Sequence, residues 1–133
     1  MTDQQQELID DLNIIEDPQE RLTIVVDRAK RHPALDESER TDTNRVPGCV
    51  SQVWLISEFR DGRCHFRCDA DGPLVKGLVA LLCDFFDDTL PAETASSEAD
   101  PLAELGLLNN ISPTRRNGLD AVRAAIRKFA QAQ

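Results

Sequence analysis

Leu8, Leu12 and Ile15 recur at helical spacing within a polar, acidic stretch, which predicts an amphipathic helix at the start of the chain. Asp17-Pro18-Gln19-Glu20 then supplies a cap, a first-turn proline and an acid three residues after the cap, the signature of a second helix start. That helix buries Leu22, Val25, Val26 and Ala29 on one face. It ends near Lys30-Arg31-His32-Pro33, where cations suit the carboxyl end of the dipole and proline stops propagation. Ala34 to Arg45 is polar, charged and without period, and reads as a linker. From Val53 the period changes to two, with Val53, Leu55 and Ser57 on one face and Trp54, Ile56 and Glu58 on the other. Arg60-Asp61-Gly62 then turns the chain into Arg63 to Cys68, predicting a β-hairpin in which Gly62 supplies a positive φ.

Asp69 to Pro73 is a second turn cluster. Beyond it, Leu74, Leu78, Leu81, Leu82 and Phe85 form one stripe with Val75, Val79 and Phe86 beside it, so this helix is the buried centre. Thr89 to Pro101 reads as loop, Leu102 to Leu108 as a short helix, and Leu119, Val122, Ile126 and Phe129 as the inward stripe of a final helix. No βαβ alternation occurs. The order predicts an α+β fold, a small antiparallel β-sheet packed against helices, in a single domain over residues 1–133.

Charge narrows the function classes. The net charge of −9 argues against a nucleic-acid footprint and against adhesion to anionic membranes. The acidic excess lies in residues 1–110, because Arg115, Arg116, Arg123, Arg127 and Lys128 face only Asp120 in the rest. No stretch approaches the roughly 20 apolar residues of a membrane span, and the polar, acidic N-terminus is unlike a signal peptide, so a cytoplasmic location is expected. Cysteines in such a chain do not suggest a disulfide framework, and each is judged alone.

Cys49 stands out. In Val46-Pro47-Gly48-Cys49-Val50-Ser51-Gln52-Val53-Trp54 a tight turn hands over to a strand, which presents a thiol on a loop; a small buried hydrophobe is the other reading. Cys64 and Cys68 flank His65, yet on a strand they lie about 13 Å apart, at roughly 3.3 Å per residue, too far to share a zinc. With Phe66 they belong on the core face, and Cys83 sits in the most apolar helix. No metal site is expected. Phosphate-cradling glycine runs and nucleophilic-serine elbows are missing. Arg115 and Arg116 lie at the amino end of the final helix, where the dipole disfavours cations, so they have either a role beyond helix stability or only solvent for a partner.

Arg45-Val46-Pro47-Gly48-Cys49, Ser51-Gln52-Val53-Trp54, Asp69-Ala70-Asp71, Val75-Lys76-Gly77-Leu78 and Ser112-Pro113-Thr114-Arg115 with Asn117-Gly118-Leu119 together resemble the SufE family of sulfur-acceptor proteins. The match in order and spacing runs across nearly the whole chain. The resemblance implies an accessory sulfur-transfer protein, not an enzyme, with no cofactor of its own. Its partners would be a pyridoxal-phosphate cysteine desulfurase of the SufS or CsdA kind and an iron–sulfur scaffold complex or other sulfur acceptor. Cys49 matches the acceptor that carries the persulfide. Arg115 is then assigned to partner contact or loop orientation, Gly48 and Ser51 to the acceptor loop, Gln52 to hydrogen bonding around the turn, and Asp71 to capping the central helix. The resemblance also implies a sheltered cysteine whose loop moves out for transfer. Val50 stands where many relatives have glutamine, and Gly72-Pro73 where small apolar residues are usual; both bear on which desulfurase is the partner.

Two other classes compete. A self-sufficient cysteine enzyme, a thiol peroxidase or hydrolase, needs a base near the thiol, and only His32 and His65 are available. A binding module with Cys49 in its core predicts an unreactive thiol.

Overall fold

The computed structural model describes residues 1–133. Six helices and one hairpin follow in the order α1 (Asp3–Asn13), α2 (Pro18–Arg28), β1 (Val53–Arg60), β2 (Arg63–Ala70), α3 (Pro73–Phe86), α4 (Pro91–Ala95), α5 (Pro101–Glu104) and α6 (Pro113–Gln131). All helices but α1 begin on a proline, whose fixed φ suits the first helical position and whose missing N–H is not needed there. Asp17, Asp100 and Ser112 cap α2, α5 and α6 by accepting first-turn amides, while Thr2 and Gln5 form a reciprocal capping box on α1.

The hairpin forms where the sequence predicts it, closing with Arg60 opposite Arg63 around Asp61 (φ 53°) and Gly62 (φ 77°). Two consecutive positive φ values make the tight turn whose twist matches the strands. Cys64, Phe66 and Cys68 face inward and are buried, opposite Phe59, Ser57 and Leu55. α3 lies across this face and is enclosed on its other side by α2. Gly77 permits that approach, since a Cβ there would stand 2.8 Å from the Cα of Val26. α6 packs on α3 and α4 with Leu119, Val122 and Ile126 buried, and Phe129 meets Phe66 edge-on at 5.9 Å.

Three sequence expectations change. α1 stops at Asn13 and buries Ile9 and Leu12, leaving Ile15 outside, because the Arg21 guanidinium takes the carbonyls of Leu12 and Ile15 and ties them to Leu105. Thr89 to Pro101 is not all loop: α4 forms within it, started by Pro91 and by Glu93, whose carboxylate accepts the Leu90 amide at 2.9 Å. The linker from Ala34 to Arg45 is a structural layer. Its backbone pairs with β1, Leu55 N–H donating to the Asn44 carbonyl and Val46 N–H to that of Val53. Trp54 and Asp69 are therefore buried on the face of the hairpin that alternation would leave to solvent. The segment has no apolar period because polar bonds attach it. On the other edge, Cys64 N–H donates to the Thr89 carbonyl and Phe66 N–H to the Asp87 carboxylate, so each strand edge is partly covered by its own chain. No helix is long and apolar enough to cross a membrane.

Candidate functional site

Cys49 sits at the tip of the loop between the crossing segment and β1. Val46 anchors the loop as a buried side chain, and Gly48 at φ 88° makes the bend that a side chain would strain. The thiol turns inward, where its S–H donates to the carbonyl of Gly118 in α6 at 3.4 Å. Beneath it lies a cavity of about 20 Å³, walled by Leu74, Val75, Leu78 and Val79 of α3, Ile111, and Leu119 and Val122 of α6. That is room for about one water-sized body, in apolar surroundings. On the outer side of the loop Cys49 borders an open groove with Asp42 and Arg45. Burial pushes the thiol above its ordinary value, partly opposed by the Arg45 guanidinium.

Ser51 and Arg115 line the cavity with Cys49, so the structure brings these three together, while Gly48 borders the outer groove. Arg115 occupies the first turn of α6 and is exposed. The next residue has a structural role, since Arg116 donates to the carbonyls of Leu108 and Ile111, which accounts for a cation at the dipole's unfavoured end. Gln52 supports the turn through its backbone, its carbonyl accepting the Asp71 amide at 3.1 Å while its side chain is exposed. The capping role expected of Asp71 is not realised. Gly72 is the N-cap of α3 with no side-chain cap bond, and Asp71 is exposed. Asp71 lies past the end of β2 at Ala70 and one residue before the N-cap, while Asp69, still in the strand, is the carboxylate buried under the crossing segment.

Asp69 was not singled out by the sequence, and it organises the base of the loop. Its carboxylate accepts the amides of Leu35 (3.0 Å) and Ala70 (2.9 Å) and the Arg40 guanidinium (2.5 Å), with the Lys76 ammonium at 3.5 Å. Burial alone would raise this carboxyl. The two amides, Arg40 and Lys76 outweigh burial and hold it below the usual carboxylate value. Arg40 also lies over the Trp54 ring at 5.1 Å from the centroid. Both stems of the acceptor loop, residues 35–46 before it and Val53-Trp54 after it, thus hang on one buried charge.

Gly118 was likewise overlooked except as part of a motif. It has ordinary helical φ, yet a Cβ there would stand 3.2 Å from both Cα and Sγ of Cys49. Glycine inside a helix costs about 0.5–1 kcal/mol relative to alanine, and the approach of Cys49 is what this position gains. A glycine that no turn requires was the available signal.

The remaining candidates lie elsewhere. His32 accepts or donates at 2.7 Å with Asp84, a contact that raises its pKa against the effect of burial. His65 is on the outer face of β2, 3.4 Å from Asp87. Cys83 is fully buried, and its hydrogen bond with Cys68 together with that burial drives its thiol well up, so it is inert. Val50 projects from the loop tip, 68% exposed.

Comparison with known proteins places the chain in a family. Residues 6–130 match the SufE family, described as an Fe-S metabolism associated domain. An uncharacterized SufE-like protein of Rhizobium etli is 33% identical over 130 residues, covering 94% of this chain and 88% of that protein. A chloroplastic quinolinate synthase of Arabidopsis thaliana is 34% identical over 103 residues, which are 77% of this chain and 14% of that one. The solution structure of a hypothetical protein from Thermus thermophilus superposes with a TM-score of 0.79 over 97% of this chain and 94% of that one; at 15% identity it speaks for the fold alone. A cysteine loop seated on a helix-covered hairpin, in a chain matched over almost its whole length, makes this protein a member of the SufE family associated with iron–sulfur metabolism.

Proposed function

We propose that the protein is a sulfur acceptor and carrier that takes persulfide sulfur from a pyridoxal-phosphate cysteine desulfurase onto Cys49, stimulates that enzyme, and delivers sulfur for iron–sulfur cluster assembly. The observation that carries this reading is the placement of Cys49: a thiol at a loop tip, turned over an apolar cavity, with a backbone carbonyl as its polar partner. A carbonyl cannot act as a base. The Cys49 thiol bonds the Gly118 carbonyl and neither histidine, His32 contacting Asp84 and His65 contacting Asp87, which favours an acceptor over a self-sufficient peroxidase or hydrolase that needs a base on the thiol.

Transfer needs a thiolate, access and a leaving thiol. The Cys49 thiolate attacks the terminal sulfur of the partner's persulfide; a new S–S bond forms at Sγ, the donor's S–S bond breaks, and the departing thiolate takes up a proton. Electrons balance without an external oxidant. Burial raises the thiol's pKa at rest, so leaving the cavity makes the thiolate easier to form as well as accessible. Arg115 at the cavity rim contacts the partner or orients the loop, Gly48 and Ser51 shape the loop, and the Gln52–Asp71 backbone bond joins its stem to β2. The whole chain acts as one domain, in the cytoplasm, and the pyridoxal phosphate belongs to the partner.

The test is intact-protein mass measurement after incubation with cysteine and a catalytic amount of desulfurase, followed by peptide mapping. A reductant-sensitive gain of sulfur on Cys49 is expected, lost in Cys49→Ser and retained when Cys64, Cys68 or Cys83 is replaced. No gain with any desulfurase of this kind, or retained uptake in Cys49→Ser, overturns the reading.

A further inference from the structure

Gly118 meets Cys49 in two ways at once. Its missing side chain leaves the space in which Cys49 lies, and its carbonyl receives the thiol hydrogen. We propose that Gly118 is the positioning residue of the acceptor thiol, holding the loop docked while Sγ carries hydrogen and releasing it once Sγ carries sulfur. This rests on the sulfur-acceptor reading.

The selectivity follows from what a carbonyl can bond. It accepts only, and the resting thiol offers it an S–H. A thiolate would turn negative charge toward the partial negative charge of the oxygen. In a persulfide, Sγ is bonded to carbon and to the second sulfur, so any hydrogen sits on the outer atom and Sγ has nothing to donate. Loading therefore removes the polar contact that fixes Sγ on α6. The cavity beneath has room for about one added atom, some 20 Å³, but it is walled almost wholly by apolar side chains. An ionised outer sulfur is disfavoured against that wall. Cys49 also borders an open groove lined by Arg45 and Asp42, where solvent reaches that anion and the Arg45 guanidinium lies close enough to favour negative charge on the sulfur. An empty acceptor is thus sheltered and a loaded one is presented to the next protein. Release upon loading gives direction to the transfer.

Two measurements on the full chain test this, and neither uses a desulfurase. The first is the rate of Cys49 alkylation by iodoacetamide in Gly118→Ala, mapped by peptide mass with buried Cys64, Cys68 and Cys83 as internal references. The added methyl must displace Cys49 while the helix accepts alanine. The rate is expected to rise at least about tenfold, the scale of one lost hydrogen bond with its close contact, and the thermal midpoint to hold or rise. A glycine of merely structural importance would lower the midpoint and leave Cys49 no faster than in wild type, which overturns the proposal. The second needs no variant. Methyl methanethiosulfonate converts Cys49 to a methyl disulfide, a stable stand-in with no hydrogen on Sγ. Amide exchange across the loop from Gly48 to Gln52 is expected to accelerate roughly two- to tenfold, as for loss of one hydrogen-bonded docking contact. Exchange unchanged from the free thiol overturns the load-dependent release. Both accelerations without sulfur uptake would strike only the acceptor reading; uptake with neither acceleration would strike only the latch.

Discussion

Replacing Asp69 by asparagine separates the anchorage of the loop from its chemistry. The carboxylate is 3% exposed and is shared by two amides and two cations, with contacts from 2.5 to 3.5 Å. An amide of the same shape keeps one acceptor oxygen, turns N–H donors toward groups that are themselves donors, and removes the charge that Arg40 and Lys76 face. Breaking a buried ion pair costs about 3–5 kcal/mol, and a hydrogen bond to a charged group contributes about 1.5–3 kcal/mol. Arg40 is 37% exposed, so water recovers part of the loss. The expected destabilisation is about 2–4 kcal/mol, equivalent to roughly 6–14 °C in Tm for a chain of this size. Urea unfolding of Asp69→Asn, Arg40→Met and the double variant reads it directly, with a coupling of about 1 kcal/mol or more expected for two contacting residues.

The same variant fixes the sign of a pH effect. The Asp69 carboxyl is held below its usual value in the folded state, so its contribution is complete above the unfolded value near 3.9 and is lost as pH falls through the depressed folded value. The wild-type urea midpoint should thus drop more steeply than that of Asp69→Asn below about pH 4. A loss under about 0.5 kcal/mol, or identical acid slopes, would refute the reasoning.

Two further outcomes are expected. Gly77→Ala places a Cβ 2.8 Å from the Cα of Val26 and 3.3 Å from the Val25 carbonyl oxygen, backbone that cannot step aside, so α2 and α3 must separate. Overpacking of this kind costs about 1–3 kcal/mol, opposite in sign to the gain of alanine in an open helix, and thermal unfolding distinguishes the two. His32 is held above its ordinary value by Asp84, so its contribution is complete below about pH 6.5 and is lost as pH rises through the raised folded value. The urea midpoint should decline over that interval in wild type and decline less in Asp84→Asn; equal declines would discard the pair as the cause.

The local layers of this protein are written in the chain. Hydrophobic period and punctuation marked α2, the hairpin with its Asp61-Gly62 turn, the buried α3 and the inward stripe of α6, because each rests on neighbours within a few residues. The Cys49 loop was visible for the same reason, Pro47-Gly48 before an alternating strand, and the spaced motifs identified the family across the chain. α4 escaped because five residues are too few to display a period. The crossing segment escaped because polar contacts hold it, and a charged stretch bonded to a buried carboxylate looks the same in sequence as one in water. Only the tertiary structure decided that Asp69, not Asp71, is the buried acid, since that required Leu35 and Arg40 to return over the hairpin from about 30 residues away. It decided likewise that the thiol rests on Gly118, 69 positions along the chain. Periodicity reports which face of an element is buried; which distant group covers that face is settled by packing the elements together.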